Sequence, residues 1–232
     1  MRNILIALST LLLVASLSAC GTADESDIID HPEMRPLALR LQDGRTLAVA
    51  PTGSTMLVTG RYLDGHSLPR TAAVAVLEGS LDVGVTAQGT FGLNTLRLEL
   101  GDVIAYPGGV PLHLTDLRVR LEQPIRLHTA WSDDGLALDA VGDVTLLLDW
   151  SLQVQGQPYE LAQQRLTDIP VHISVVAMGP SHVGLHIGAA QPGVFWSWAG
   201  MLELADLDLD LNASDVIRVP RVEQTAPATL LP

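Results

Sequence analysis

The sequence predicts an all-β fold, an antiparallel β-sandwich or a barrel-like sheet built of hairpins and meanders. Apolar residues recur at every second position over long stretches, which is the spacing of a strand with one buried face. Short segments rich in Gly, Pro and Asp separate these stretches, and the pattern contains no regular helical crossover. Antiparallel strands are therefore favoured over a parallel sheet, and the choice between sandwich and barrel stays open.

The chain begins with an apolar segment that has the features of an export signal. Arg2 precedes uncharged and mostly apolar residues from Ile4 to Ala19, and the segment ends in small residues, as secretory signal peptides do. This stretch is shorter than the roughly 20 residues that a membrane-spanning helix needs. We therefore assign residues 1–19 to a signal peptide.

The end of this segment, Leu17-Ser18-Ala19-Cys20, resembles the lipobox of bacterial lipoprotein precursors. The resemblance covers only residues 1–20. It implies cleavage between Ala19 and Cys20, a diacylglyceryl group on the Cys20 thiol, and a fatty acyl chain such as palmitate on the new amino terminus. Two or three acyl chains hold a protein stably at a membrane, whereas one does so only marginally.

The same resemblance implies a location in the bacterial cell envelope. Gly21 follows the cysteine, and in bacteria with two membranes a residue other than Asp there favours the outer membrane over the inner one. The membrane, reached through the N-terminal lipid, is then the first partner that we expect. An ordinary secretory signal with a cysteine near its end is the alternative.

The rest of the chain divides into a tether, one domain and a tail. Residues 20–35 contain the lipidated cysteine and an acidic stretch without apolar periodicity, which predicts a tether. Residues 36–219 contain the period-two pattern and have the length of a single all-β domain. Residues 220–232 are expected to form a loose C-terminal tail.

Composition excludes several classes of function. The formal net charge of −13 should repel nucleic acid and anionic headgroups. Cys20 is the single cysteine and Lys is absent, so a chain lipidated at Cys20 has no disulfide, thiol nucleophile, thiolate metal site or Schiff-base lysine. Walker loops, nucleophile elbows, zinc-protease helices and dinucleotide fingerprints are also missing from the sequence, and we predict no cofactor.

The strand pattern is clearest in residues 136–154, where every even position is Leu, Ala, Gly, Val or Trp. Asp134-Gly135, just before this stretch, predicts a hairpin that places Trp131 opposite Leu138. A loop at residues 122–124 adds a third strand, with Ile125 opposite Val144. Gly142 is expected to bend or bulge its long strand, and only residues 158–165 have a pattern compatible with a helical turn or two.

Residues 169–202 contain no Asp, Glu, Arg or Lys. Their alternation predicts a hairpin around residues 179–181, with His186 opposite Ser174 and diagonal to His172. The imidazoles share one strand face, and the two indoles share a face with Leu202 and Leu204, which suggests a ligand pocket. No nearby carboxylate completes a metal site, and we predict none. Half-buried histidines and core tryptophans are the alternative. The candidate pocket residues are Trp196, Trp198, His172, His182 and His186.

A second candidate site is a patch of Arg118, Arg120, Arg126 and His128 on the outer face of the predicted meander. Clustered guanidinium groups suit a carboxylate or phosphate ligand. An ordinary cross-strand ion pair between Arg126 and Asp143 is the alternative. The acidic residues at 206, 208 and 210 alternate with leucines, which favours a strand with a solvated face over a calcium loop.

These features favour a lipid-anchored cell-envelope protein without catalytic activity, which binds an apolar ligand or another envelope protein. An envelope enzyme that uses His172, His182 or His186 with distant carboxylates is the first alternative. A protein that contributes strands to an outer-membrane barrel is the second, and it would need a continuous apolar band facing lipid.

Overall fold

The computed structural model describes residues 36–215 and 226–231, so the predicted signal peptide, Cys20 and the predicted tether lie outside the described residues. The described chain forms one short α-helix, one 3-10 helical turn (Pro107–Gly109) and fourteen strands, which confirms the predicted all-β fold. No helix in this part of the chain has the length and apolar character needed to cross a membrane. The elements are α1 (Leu37–Leu41), β1 (Arg45–Val49), β2 (Thr55–Tyr62), β3 (Arg70–Val85), β4 (Phe91–Leu100), β5 (Val103–Ala105), β6 (Leu112–Leu121), β7 (Ile125–Arg126), β8 (His128–Trp131), β9 (Ala137–Val154), β10 (Gln157–Glu160), β11 (Gln164–Met178), β12 (His182–Trp198), β13 (Leu202–Ser214) and β14 (Ala228–Leu230).

All of these strands belong to one sheet that closes into a barrel-like ring. In order around the ring, β9 pairs with β11, β11 with β12, and β12 with β13. β13 pairs with β1 and β2, which both pair with β3, and β3 then pairs with β4. β4 pairs with β6, and β6 returns to β9. These pairs are antiparallel, whereas β14 lies parallel to β5.

The period-two pattern places the apolar side chains inside this ring. Along β9, Leu138 is buried while Asp139 is exposed, and the alternation continues along the strand. A ring of about eight strand positions encloses just enough space for side chains to fill it. Gly142 supplies part of that space, because a Cβ at this position would lie 2.7 Å from Leu127 Cδ2. The pairing of Gly142 with Val171 shows no register shift, so the strand has no bulge there.

β6, β7 and β8 follow one another in the same direction and together fill one strand position of the ring. β6 and β8 are both antiparallel to β9, and β7, between them, pairs with β4. Residues 122–124, where we expected a hairpin loop, therefore interrupt one strand path without reversing it. Pro124 explains the interruption, since it has no N–H to donate to a neighbouring strand.

The course of these strands corrects the predicted pairing of Ile125 and confirms the predicted pairing of Trp131. Ile125 pairs with Leu93 of β4 and not with Val144. Farther along, Trp131 lies opposite Leu138, as the hairpin signal predicts.

α1 closes one end of the ring, at the turns around residues 132–136 and 179–181; we call this the helix end. The N–H of Leu37 donates a hydrogen bond to the carbonyl of Gly135 at 3.1 Å. Arg40 Nη1 donates to the carbonyls of Gly179 and His182, each at 2.9 Å. The buried Leu37 and these bonds hold the helix over the end of the sheet.

An ion pair strengthens the same end. Arg45 Nη1 lies 2.5 Å from Asp215 Oδ2, and the N–H of Val183 donates to Asp215 Oδ1 at 2.9 Å. Burial lowers the pKa of the Arg40 guanidinium, and the neighbouring charge of Arg45 lowers it further. The start of β1, the start of β12 and the end of β13 are thus joined beside α1.

The opposite end, which we call the tail end, contains β14. Leu230 of this strand is fully buried, its side chain covers Gly60, and its carbonyl accepts a hydrogen bond from the hydroxyl of Tyr62 at 2.5 Å. Residues 228–230, expected in a loose tail, are therefore held in the fold. Residues 158–165, where a helical turn was expected, instead belong mainly to β10 and the start of β11.

Candidate functional sites

The three predicted histidines lie on the outer face of β9, β11 and β12, which we call the histidine wall. His172, His182 and His186 are exposed, while alternate residues such as Ile173 are buried. Ser174 lies opposite His186, as the hairpin predicts. His128 reaches the same wall because β8 pairs with this part of β9.

Carboxylates from the flanking strands lie beside two of these histidines. Ser174 Oγ donates to Asp139 Oδ1 at 2.5 Å, and His172 Nε2 lies 3.4 Å from the same oxygen. His186 Nε2 lies 2.8 Å from Asp210 Oδ1. Since the hydroxyl of Ser174 donates to a carboxylate and not to His186, this serine is not arranged as a nucleophile activated by an imidazole.

His182 belongs to the helix end of the wall. Its Nδ1 lies 3.5 Å from Asp215 Oδ1, and its carbonyl accepts the hydrogen bond from Arg40. Among the described residues, no three His, Cys, Asp or Glu side chains are grouped so that they could hold a metal ion.

β11 and β12 separate at one point of the histidine wall. Their pairing ends at Val171 and Ala189; beyond it β11 follows β9 and β12 follows β13. A groove of about 600 Å³ lies at this separation; we call it the fork groove. Its floor is made of small residues, and a Cβ built at Gly188 would meet nothing within 4 Å. Its outward-facing lining includes Val141, Asp143, Pro170, His172, Gly188, Ala190 and Asp208.

The tryptophans of the candidate pocket lie away from these histidines, at the tail end. The ring centroids of Trp196 and Trp150 are 5.5 Å apart in an edge contact, and Phe195 lies 6.2 Å from Trp150. Trp150 and Trp196 are each 8% exposed, so they form part of the core. Trp198, opposite Leu202, is half-buried. The structure therefore does not assemble the five predicted residues into one pocket.

Arg118 and Arg120 lie in a second groove, of about 450 Å³, on the outer face of β3, β4, β6 and β9; we call it the arginine groove. Arg97 of β4 lies directly opposite Arg120. Arg120 Nε lies 3.4 Å from Asp149 Oδ2. Within residues 36–215 and 226–231, Arg97 and Arg118 form no ion pair. Glu78, Ser80 and Glu99 also line the groove.

The other two members of the predicted anion patch lie elsewhere. Arg126 pairs with Gly92 of β4, and its guanidinium occupies the space that the glycine leaves. His128 lies on the histidine wall. Asp143 pairs with Pro170, so the alternative cross-strand pairing with Arg126 is not formed. The interruption at residues 122–124 is the cause, because it directs Arg126 to β4.

Three residues of these surfaces were not among the candidates from the sequence: Arg97, Asp139 and Asp210. Arg97 occupies an outward position in the alternating pattern of β4, which was a usable signal. What the pattern does not reveal is that β4 pairs with β6, because the two strands are separated by β5 in the chain. The carboxylates lie outside residues 169–202 and reach the histidines only through strand pairing.

Comparison of the chain with protein-family models gives no match, and neither does comparison with curated proteins. A function for this chain is therefore argued from its own residues.

Proposed function

We propose that this chain is a lipid-anchored protein of the bacterial cell envelope, without catalytic activity, that binds another envelope component on its histidine wall. The anchor is supported by Leu17-Ser18-Ala19-Cys20 at the end of an apolar segment. Residues 21–35 then separate the lipid from Pro36, and an extended chain of that length spans at most on the order of 50 Å. The helix end is thus the end nearest the anchor in the chain.

The observation that carries the binding proposal is the low charge of the hairpin that forms this wall. Residues 169–202 contain no Asp, Glu, Arg or Lys, in a chain with a net charge of −13. Val141, Val176 and Met178 are each close to half exposed there. Val141 lines the fork groove, and Val176 and Met178 lie farther along the same sheet face. Exposed apolar side chains on one face with such a groove are typical of a surface that a partner covers.

A partner on the outside fits this fold better than an apolar ligand inside it. The inward positions of β9, β11 and β12 are occupied by buried side chains such as Leu146, Ile173 and Leu185. An internal ligand would have to displace that packing, which is as dense as an organic crystal in protein interiors. A partner on the histidine wall displaces only water.

The absence of catalysis is supported by the polar groups of the wall. Ser174 donates its hydroxyl hydrogen to Asp139, and the His186–Asp210 pair lies on an exposed sheet face. Neither arrangement has the enclosed geometry in which hydrogen-bond donors stabilise developing charge.

The anchor is tested by comparing the protein with Cys20→Ser, using intact mass and partitioning between membrane and soluble fractions. We expect the variant to lose the lipid mass and the membrane association together. A variant that remains in the membrane unchanged would rule out Cys20 as the anchor.

The binding surface is tested separately, with a photo-cross-linking residue at Gly188 in the membrane-anchored protein. The open space around Gly188 accommodates the new side chain. We expect a discrete cross-linked product from this position and none from a matched position at Arg165, an exposed residue outside the fork groove. Equal products at both positions, or none at either, would contradict the proposal.

A further inference from the structure

The arginine groove places two like charges directly opposite each other. Arg97 and Arg120 are Cα partners across β4 and β6, and like charges directly opposite each other on a sheet are destabilising. Arg97 faces the uncharged Ser80 on its other side. Hydrogen bonds from Thr46 and Thr95 lower the pKa of Asp82, two residues along β3, and the charge of Arg97 lowers it further, so Asp82 partly offsets the charge of Arg97 without forming an ion pair with it among the described residues. Among the described residues, Arg120 forms one ion pair, the 3.4 Å contact with Asp149, and Asp149 also accepts a hydrogen bond from Gln163.

Arg118 adds a third guanidinium to the same groove. In register it lies between Glu99 of β4 and Asp149 of β9. Even so, the described residues include no carboxylate within ion-pair distance of Arg118. Its guanidinium and that of Arg97 therefore retain donors that face the groove or solvent.

We infer that the arginine groove binds one oxyanionic group, a phosphate or a carboxylate, between Arg97 and Arg120 with Arg118 beside them. The planar guanidinium presents paired N–H donors that match two oxygens of such a group. An anion between Arg97 and Arg120 converts their mutual repulsion into two favourable interactions. The exposed fork groove and the lipid anchor are not involved, so this inference is independent of the proposed function.

The carboxylates of the groove restrict what can bind. Glu78, Glu99 and Asp149 line it together with the arginines, so a ligand with several negative charges in a row would be repelled. A single oxyanion attached to hydroxyl or amine donors satisfies both sets of groups. Because the groups are exposed, binding should weaken as salt increases.

The test is the affinity of the intact lipidated protein, in a non-ionic detergent, for inorganic phosphate, acetate and glycerol phosphate. Titration calorimetry at low salt gives the affinity, and Arg Nε–H resonances report which side chains respond. We expect Arg97→Gln and Arg120→Gln each to weaken binding of the preferred probe at least tenfold. Arg165→Gln is the matched control, because its guanidinium is paired with Glu122 outside the groove; it should leave the affinity unchanged.

The three probes distinguish the chemistry of the ligand. Preference for phosphate over acetate assigns a phosphoryl group, and tighter binding of glycerol phosphate assigns one attached to a polyol, as in a lipid headgroup. Preference for acetate assigns a carboxylate. No measurable binding of any probe, or an equal loss in Arg165→Gln, would overturn the inference.

A second measurement addresses the free protein. Without added anion, Arg97→Gln should raise the melting temperature, because it removes one of two opposed charges; added ligand should then stabilise the original protein more than the variant. A lower melting temperature for the anion-free variant would overturn the claim that the repulsion between Arg97 and Arg120 outweighs the attraction between Arg97 and Asp82.

Discussion

The two ends of the ring are closed by different chemistry. At the helix end, α1 is held by hydrogen bonds from Arg40 to backbone carbonyls and by the nearby ion pair of Arg45 with Asp215. At the tail end, the indoles of Trp150 and Trp196 pack against each other, and β14 covers Gly60. The helix end is closed by hydrogen bonds and an ion pair, whereas the tail end is closed by the burial of apolar side chains.

This difference indicates which substitutions each end tolerates. A closure made of hydrogen bonds to backbone carbonyls is sensitive to loss of the donor, because the carbonyls stay behind without that partner. A closure made of aromatic packing is sensitive to loss of volume, because the surrounding structure collapses only partly into the cavity. The tail end should therefore respond to side-chain size, and the helix end to donor chemistry.

The largest effect is expected from Trp150→Ala. Removing a buried aromatic side chain typically costs about 3–5 kcal/mol of unfolding free energy, and both Phe195 and Trp196 lose their contact with it. Urea denaturation followed by circular dichroism measures the loss. A loss below about 1 kcal/mol would show that the cluster does not support the tail end.

Trp150→Phe is the control that separates packing from hydrogen bonding. Trp150 Nε1 is buried without a hydrogen-bond partner among the described residues, so removing the indole N–H relieves an unfavourable group while most of the aromatic packing remains. We expect Trp150→Phe to be clearly less destabilising than Trp150→Ala. Equal losses would mean that the indole nitrogen has a partner, such as water.

At the helix end we expect a smaller loss, from Arg40→Met. Methionine keeps an unbranched apolar side chain but cannot donate to the carbonyls of Gly179 and His182. Hydrogen bonds to charged groups contribute about 1.5–3 kcal/mol, and this is the expected fall in unfolding free energy, measured by urea denaturation. Arg165→Met is the matched control on the surface and should change stability little. If both variants behave alike, the hydrogen bonds of Arg40 do not hold the helix end.

The long strands and the short elements at the two ends also differ in how well the sequence predicts them. The strands are readable because the alternation of buried and exposed positions extends over many residues, as in β9 and in the hairpin of β11 and β12. α1 has five residues and no side-chain cap, so neither periodicity nor a capping signal marks it. β14 has three residues, and its place depends on the distant β5.

The residues of the candidate sites could be predicted from the sequence only in part, because each site depends on which strands become neighbours. The single hairpin turn at residues 179–181 fixes the relation of Ser174 to His186, and that relation was predicted correctly. The relation of Arg97 to Arg120 crosses β5 and a further loop, where no local turn determines the register. Pro124 is compatible both with a hairpin loop and with a break in a strand that continues in the same direction. We predicted the hairpin, and that choice placed Arg126 opposite the wrong strand.

The smallest effect that we predict is a titration at the tail end, in the loop between β2 and β3. Hydrogen bonds from the Ser67 hydroxyl and from the N–H groups of Ser67 and His66 lower the pKa of Asp64 to about 2. In the unfolded chain the pKa of an Asp carboxyl is about 3.9. Because the pKa is lower in the folded loop, the ionised carboxylate favours the folded loop, and this contribution is complete above about pH 3.9. The preference is lost as the pH falls through about 2. Carboxyl carbon shifts should give a midpoint near that value in the original protein, and a higher midpoint in Ser67→Ala, which lacks the hydroxyl donor. A midpoint near 4 in the original protein would show that the loop does not hold these hydrogen bonds in solution.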